Sequence, residues 1–378
     1  MRATTIGGAL ILLIWLVILS ARGLYWLARE RDDRDEPPEP NTWPSVTAVV
    51  PARNEADVVA RSVGSLLAQD YPGEFRIILV DDDSGDGTGD LARSVDAGGR
   101  LTVIDGAPLP SGWTGKLWAQ SQGVAAAGPV DYLWLTDADI AHAPENLRAL
   151  IARAEAGRLA LTSLMAKLTV ETRAERLLIP AFVYFFAMLY PFSWVNDPAR
   201  RMAAAAGGCM LARRAALERA GGLAAIRSAI IDDCALGALM KRQGPVWLGL
   251  TERARSLRPY RDLGEIGRMV SRSAYAQLNY SPWLLAGTVL GMMLIYLAPV
   301  WLAVFGAGPS RWIGGLAWAA MALTFQPMLA FYRRSPLWGF ALPLIGATYA
   351  AFTVRSAVDV WAGRGGQWKG RAQAMRAA

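Results

Sequence analysis

The sequence predicts an α/β fold, a mostly parallel sheet with flanking helices, joined to N-terminal and C-terminal transmembrane helices. Three observations carry that expectation. Between Trp43 and Tyr280 short β-branched runs alternate with helical ones, the pattern of βαβ units. Uncharged apolar stretches stand near both ends of the chain. The polar clusters between them follow predicted strands, where open α/β sheets bind their ligands.

Taken in order, Ile6 to Ala21 is apolar and uncharged, between Arg2 and Arg22. No small-residue cleavage site follows it, so residues 1–28 read as an uncleaved membrane anchor and the charged, Pro-rich residues 29–44 as a linker. Val46 to Val50 reads as a buried strand ending at Pro51, and Ala56 to Gln69 as a helix with Val58, Val59, Val63, Leu66 and Leu67 at helical spacing. Arg76 to Val80 is a second strand, followed by an acidic turn and a helix from about Gly89. Leu101 to Ile104 is a third and Tyr132 to Leu135 a fourth, ending at Thr136. Leu177 to Val195 carries no charge, yet a crossing there would put the acidic motifs before and after it on opposite sides of a membrane. It is expected to lie in the interface or pack as a buried helix, broken by Pro180 and Pro191, within a domain spanning 45–280.

Ser281 to Phe305, Trp312 to Tyr332 and Leu337 to Val354 each approach the roughly 20 residues that a helix needs to cross the hydrocarbon core. Trp283, Trp301, Trp312, Tyr332, Trp338 and Trp361 stand where an interfacial aromatic belt belongs. Residues 281–355 thus read as membrane segments and 356–378 as a basic tail. Three full crossings from a cytoplasmic domain would place that tail outside, against the positive-inside tendency, so either one segment is re-entrant or the tail breaks the rule.

Composition narrows the chemistry. Of 378 residues 53% are apolar and 19% charged, a balance that suits membrane association. The net charge of +7 suggests nucleic acid, but from Ser281 onward eight Lys/Arg face one acid, while the first 280 residues balance 31 against 31. The excess flanks apolar segments, which excludes a nucleic-acid partner. One histidine and two cysteines exclude a Cys/His zinc site, a histidine-based nucleophile and a disulfide framework. Catalysis is left to carboxylates, Lys/Arg and a hard metal.

Three polar clusters follow strands: Pro51-Ala52-Arg53-Asn54-Glu55, the run Asp81 to Thr88, and Asp137-Ala138-Asp139. The second has glycines at 85, 87 and 89, but this is not the dinucleotide spacing, and Asp81, Asp82, Asp83 and Asp86 would repel a pyrophosphate. Its carboxylates can accept hydrogen bonds from a base or a ribose, or the run is simply a solvated turn. In the third, strand alternation is expected to put both carboxylates on one side of the chain, where two hard oxygen ligands suit Mg²⁺ or Mn²⁺ bridging to a diphosphate.

These stretches together, VTAVVPARNE, ILVDDDSGDGT, LTDADI, AGGCMLARRAALERAGGL and IDDCALGALMKRQG, resemble a family 2 glycosyltransferase with the nucleotide-sugar-binding GT-A fold, over about residues 43 to 275. GWTGKLWAQSQG, LTDADIAHAPENL, RLLIPAF, AAAAGGCMLARR, IDDCALG and the tail GQWKGR further resemble the hopanoid-biosynthesis-associated branch, bacterial membrane enzymes related to ceramide glucosyltransferases. The resemblance implies that Pro51, Ala52, Arg53, Glu55, Asp81, Asp82, Asp83 and Asp137 line the nucleotide-sugar and that Asp137 and Asp139 hold the metal. Lys116 falls where the family has a basic or polar residue that contacts phosphate or sugar. Of the pair Asp232-Asp233, Asp233 is the implied base. Mutual repulsion would raise one of their pKa values, although an Asp here can instead cap the helix Cys234 to Lys241. His142 is expected to support its loop rather than bind metal, and Cys209 and Cys234 to be small buried residues.

The family's Gln/Arg-x-x-Arg-Trp motif is replaced by RMVSRS, Arg268 to Ser273, with longer spacing and no Trp. This favours a single transfer over a processive polysaccharide synthase. Arg272 either reaches the diphosphate or joins Arg253, Arg255, Arg258, Arg261 and Arg268 in a basic collar facing anionic lipid headgroups. The expectation is a multi-pass enzyme of the bacterial inner membrane, catalytic domain in the cytoplasm, moving one sugar from a nucleotide-sugar, UDP-linked, to a lipid hydroxyl of hopanoid or ceramide-like type. A non-catalytic membrane scaffold or nucleotide sensor is the alternative from another class.

Overall fold

The β-branched runs become one eight-stranded sheet in the computed structural model, which describes residues 2–96, 98–364, 367–368 and 371–372. The basic residues Lys369 and Arg376 of the tail lie outside the described residues. The strands are β1 (Val46–Ala52), β2 (Phe75–Asp81), β3 (Leu101–Asp105), β4 (Tyr132–Thr136), β5 (Ile140–His142), β6 (Leu161–Lys167), β7 (Cys209–Arg213) and β8 (Val246–Ser256). The helices are α1 (Arg2–Ala21), α2 (Val59–Leu67), α3 (Thr88–Val95), α4 (Gly115–Ala126), α5 (Asn146–Ala156), α6 (Arg173–Leu189), α7 (Phe192–Asn196) and α8 (Arg214–Arg219), then α9 (Asp232–Lys241), α10 (Leu263–Ser271) and α11 (Ala274–Gln277). Four more follow: α12 (Pro282–Met292), α13 (Ala298–Phe305), α14 (Pro309–Phe331) and α15 (Leu342–Trp361).

The chain divides into two units, and the sheet lies in the one formed by Glu30–Thr169 with Trp194–Arg258. Strand order is β3-β2-β1-β4-β7-β6-β8-β5. The expected parallel arrangement holds for β3, β2, β1 and β4. Beyond them β7 runs antiparallel to both neighbours, and β5 antiparallel to β8. Val46, Ala48 and Val50 pack under α2 and α5 through Val59, Val63, Leu66, Leu147 and Ile151. On the other face α4 presses so close that a Cβ on Gly123 would sit 2.4 Å from Val49 Cγ1. Covered on both faces, every residue of β1 is buried, as strands in such sheets are.

Residues 29–44, expected as a linker, are partly laid along the sheet. Asp32 N donates to Leu250 O at 3.0 Å and Leu250 N to Glu30 O at 2.8 Å. The buried Asp32 carboxylate accepts from Thr251 Oγ1 at 2.6 Å and pairs with Arg253 at 3.4 Å.

The second unit comprises Met1–Arg29, Val170–Ser193 and Pro259–Gly365, so α6 and residues 259–280 group with the apolar helices rather than with the sheet, unlike the expected 45–280 boundary. Among the described residues it contains four helices long and apolar enough to cross a membrane: Thr4–Ala21, Pro282–Phe305, Pro309–Phe331 and Pro336–Trp361. The expected break at Pro180 does not occur: α6 runs through it, and the chain turns only before Pro191. A capping box of Thr172 and Glu175 starts the helix, and burial of Leu178, Ile179, Val183 and Tyr184 outweighs the hydrogen bond that proline forfeits, a penalty of about 3 kcal/mol. Tyr184 Oη shares hydrogen bonds with Tyr25 Oη at 2.8 Å and Thr324 Oγ1 at 2.7 Å.

Candidate active site

The site forms in the sheet unit, at the carboxyl ends of β1, β2 and β4. Register sets Ala52 beside Asp81, so the loops leaving β1 and β2 run together. The Arg53 guanidinium donates to the carbonyls of Asp82 and Asp83 and lies 3.9 and 3.8 Å from their carboxylates. Asn54 N donates to Ser84 Oγ, Gly85 N to Asn54 Oδ1, Glu55 N to Thr88 Oγ1 and Ala56 N to Asp86 Oδ2, all between 2.8 and 3.1 Å. Asn54 and Asp83 both take left-handed backbone, with φ of 50° and 56°, which Asn and Asp tolerate better than most residues. The sequence-predicted carboxylates thus separate. Asp82 is fully buried against Arg53, and Asp81 accepts from Ser84 N at 3.1 Å while its Oδ2 fills the space a Cβ on Gly89 would need. Asp83 stands open to solvent. Pro51 and Ala52 are buried strand residues that set the loop's origin.

Asp137 to Asp139 is a turn, not the end of β4, so strand alternation does not govern its carboxylates. Each instead meets its own cation. Lys116 Nζ, from the first turn of α4, lies 2.8 Å from Asp137 Oδ1 and 3.2 Å from Asp232 Oδ2. Arg258, just past β8, places Nε 3.9 Å from Asp139 Oδ2 while Nη2 pairs with Glu55 and Asp57. Burial disfavours the charged Lys116 ammonium, but Asp137 and Asp232 more than offset it and hold its pKa above the usual lysine range.

Asp233 lies in the first turn of α9, where Oδ1 accepts from Cys234 N at 2.7 Å and Oδ2 from Gly207 N at 3.1 Å. Burial pushes its carboxyl up to about 6; Asp232 adds to the shift and Lys116 opposes it. Gly207 permits this approach, since a Cβ there would lie 3.2 Å from Lys116 Nζ and 3.6 Å from Asp233 Cβ.

His142 lies beneath this cluster, buried on β5. Asn146 Nδ2 donates to His142 Nδ1 at 3.0 Å, which leaves Nε2–H to donate to Thr136 Oγ1 at 2.8 Å, and Thr136 in turn donates to Gly208 O. Both ring nitrogens are occupied and burial pushes the imidazole down to about 3, so His142 is neutral and structural. It ties the strand entering the 137–139 turn to the Gly207–Gly208 loop.

Asp137 and Asp139 are the residues able to hold a hard cation. Both side chains reach solvent, and among the described residues no group of three or more His, Cys, Asp or Glu forms a metal cage. Two carboxylate oxygens completed by phosphate and water are a donor set that fits Mg²⁺ or Mn²⁺. Arg272 lies in the other unit, as the C-cap of α10. Arg258 is the arginine that sequence reasoning placed elsewhere; β8, unassigned in the sequence, would have marked it as a strand-end residue.

Residues 47–221 match the family described as Glycosyl transferase family 2. The succinoglycan biosynthesis protein ExoO of Rhizobium meliloti (strain 1021) is 35% identical over 121 residues, which span about a third of each chain, 32% of both. In fold, the chain is similar to the mannosyltransferase PcManGT from Pyrobaculum calidifontis, solved in complex with GDP-Man and Mn²⁺, at 19% identity and a TM-score of 0.55 over 94% of this chain and 99% of that one. Glucosyl-3-phosphoglycerate synthase from Mycobacterium tuberculosis, solved with Mg²⁺ and UDP, aligns at 20% identity over 62% of this chain and 79% of that one, with a TM-score of 0.42. Residues 47–221 thus resemble a family 2 glycosyltransferase domain, and the fold is GT-A-like.

Proposed function

We propose that the protein is a membrane-bound inverting glycosyltransferase that moves a single sugar from a nucleotide-sugar, UDP-linked in our reading, to a lipid hydroxyl of hopanoid or ceramide-like type. The observation that carries this reading is Asp233. Two backbone amides fix its carboxylate, and burial brings it to about 6, near the operating range of a general base. Asp233 takes the acceptor's hydroxyl proton, the acceptor oxygen bonds to the anomeric carbon, and the bond from that carbon to the diphosphate breaks on the opposite face.

The remaining residues prepare that step. Arg53 locks the two nucleotide loops together, with Glu55 and the acids from Asp81 to Asp83 on the nucleoside side and Asp83 open to accept hydrogen bonds. Lys116 holds Asp137 and Asp232 in place and sets a positive charge beside the diphosphate. Asp137 and Asp139 would hold Mg²⁺ or Mn²⁺ with the donor's phosphates, and that ion supplies charge neutralisation for the leaving diphosphate.

A lipid acceptor and a multi-pass place in a bacterial cytoplasmic membrane, sheet unit on the cytoplasmic side, are supported by apolar side chains left exposed on the long helices. Leu290, Trp283, Phe305, Trp312 and Leu344 are each more than half exposed, a surface of the kind a bilayer covers. The test is release of nucleoside diphosphate by the purified Asp233→Asn variant supplied with donor, metal and a lipid extract. The rate should fall by about 100-fold or more while donor affinity is retained; wild-type turnover in that variant sinks the reading.

A further inference from the structure

In the helical unit, Arg173, Arg261 and Arg268 line one open groove of about 740 Å³, together with Leu177, Leu263 and Asp262. We propose that this groove is a binding site for the phosphate headgroup of an anionic phospholipid. Three guanidinium groups meet one carboxylate among the lining residues, Asp262, with Glu265 at the edge accepting from Arg261 N at 2.7 Å. Asp262 is already engaged, capping α10 through Glu265 N at 2.8 Å, and Arg268 has only a 3.9 Å pairing with Glu265. Arg173 and Arg261 are exposed and make no ion pair among the described residues. The N-termini of α6 and α10, which border the groove, carry their own caps, so the guanidinium groups rather than helix amides are left to bind an anion.

Packing sets the level of the groove along the membrane helices. Ser271 at the end of α10 donates to Phe352 O at 3.1 Å, and a Cβ on Gly267 would sit 2.8 Å from the Phe352 ring. On the other wall, Tyr349 Oη donates at 3.0 Å to Leu178 O, beside Leu177. These contacts fall on α15 just before its apolar run gives way to Arg355 and Asp359, where hydrocarbon ends and headgroups begin. Phosphate oxygens would take the arginines, and Leu177 with the half-exposed Leu263 would cover the glycerol end of the chains. A nucleoside diphosphate offers the same phosphate chemistry. The lipid is the occupant because the groove belongs to the unit that carries the apolar spans.

This inference rests on the membrane placement proposed above and not on the transfer chemistry. The full-length protein is held in mixed micelles containing equal amounts of phosphatidylcholine and phosphatidylglycerol, and native mass spectrometry reads which lipids it retains. The wild type should retain phosphatidylglycerol preferentially, and the Arg173→Gln, Arg261→Gln, Arg268→Gln triple variant should lose that preference by about tenfold or more, while the corresponding triple Lys variant keeps most of it. Unchanged preference in the triple Gln variant, no preference in the wild type, or displacement of the lipid by excess UDP overturns the site. If the triple variant does not fold, Arg261→Gln alone, at an exposed position, is read in its place. Carbonate extraction of wild-type membranes separates the two ideas: a protein that washes off refutes the membrane placement, whereas one that stays but shows no lipid preference refutes only the groove.

Discussion

The proposed mechanism concentrates the chemistry in one side chain, Asp233, and its raised pKa makes that testable. With the carboxyl at about 6, transfer should rise with pH on a limb centred near that value, measured as kcat/KM across the range. Stability should move the other way. A raised pKa means that the folded state binds more protons than the unfolded one between the ordinary value of 3.8 and about 6, so this group's contribution is lost as pH rises through that window. Thermal melts of wild type and Asp233→Asn at about pH 5 and about pH 8 should therefore differ in slope, the variant lacking the decline. The pair Asp232-Asp233 was legible in the sequence as neighbouring acids, but repulsion between them was the expected cause of the shift, whereas burial is the larger one. Burial comes from the Gly207 loop and α4, which spacing along the chain does not reveal. Lys116 was legible as a lone base, and its carboxylate partners were not. For the metal, a chelator should abolish transfer and added Mg²⁺ or Mn²⁺ restore it, with Asp139→Asn requiring more of the ion.

At the level of elements, strands were easier to read than turns. β1, β2, β3 and β4 follow from apolar, mostly β-branched or aromatic runs and end within two residues of expectation; β1, β2 and β4 are buried almost throughout, whereas the edge strand β3 is only partly covered. Strand alternation was expected to carry past Thr136 to Asp137 and Asp139, but a run of three residues has no periodicity to show that the chain turns there, and α6 was expected to break at Pro180 because proline's local penalty is visible in sequence while the packing that overrides it is not. Two glycines separate positioning from folding. Gly207→Ala meets the flexible end of Lys116, so it should lower turnover by about tenfold with little change in melting temperature. Gly237→Ala in α9 meets the Ala204 backbone at 2.6 Å and should cost about 1–3 kcal/mol of stability. The buried relay from Asn146 through His142 and Thr136 to Gly208 occupies both ring nitrogens of the protein's one histidine.

For the whole molecule, charge and apolarity mark the apolar helices in the sequence, whereas the segments that group with them are not marked there. The candidate membrane spans are legible in the sequence as long uncharged runs, and among the described residues four helices match that reading in length and composition. Val170–Ser193 groups with them, although its uncharged stretch was kept in the sheet domain because a crossing there would separate the acidic motifs, and so do the residues from Pro259 onward. The +7 net charge, which first suggested nucleic acid, resides beyond residue 280 among those apolar runs. The central claim joins both halves: a carboxylate base in the sheet unit serves an acceptor from the bilayer. Lipid mass spectra of cells expressing the wild type or Asp233→Asn test it most directly. The account predicts a lipid heavier by one sugar residue in the wild type and its absence from the variant at equal protein levels. The same glycolipid at wild-type abundance in the variant, or a ladder of products extended by many sugars, would contradict it.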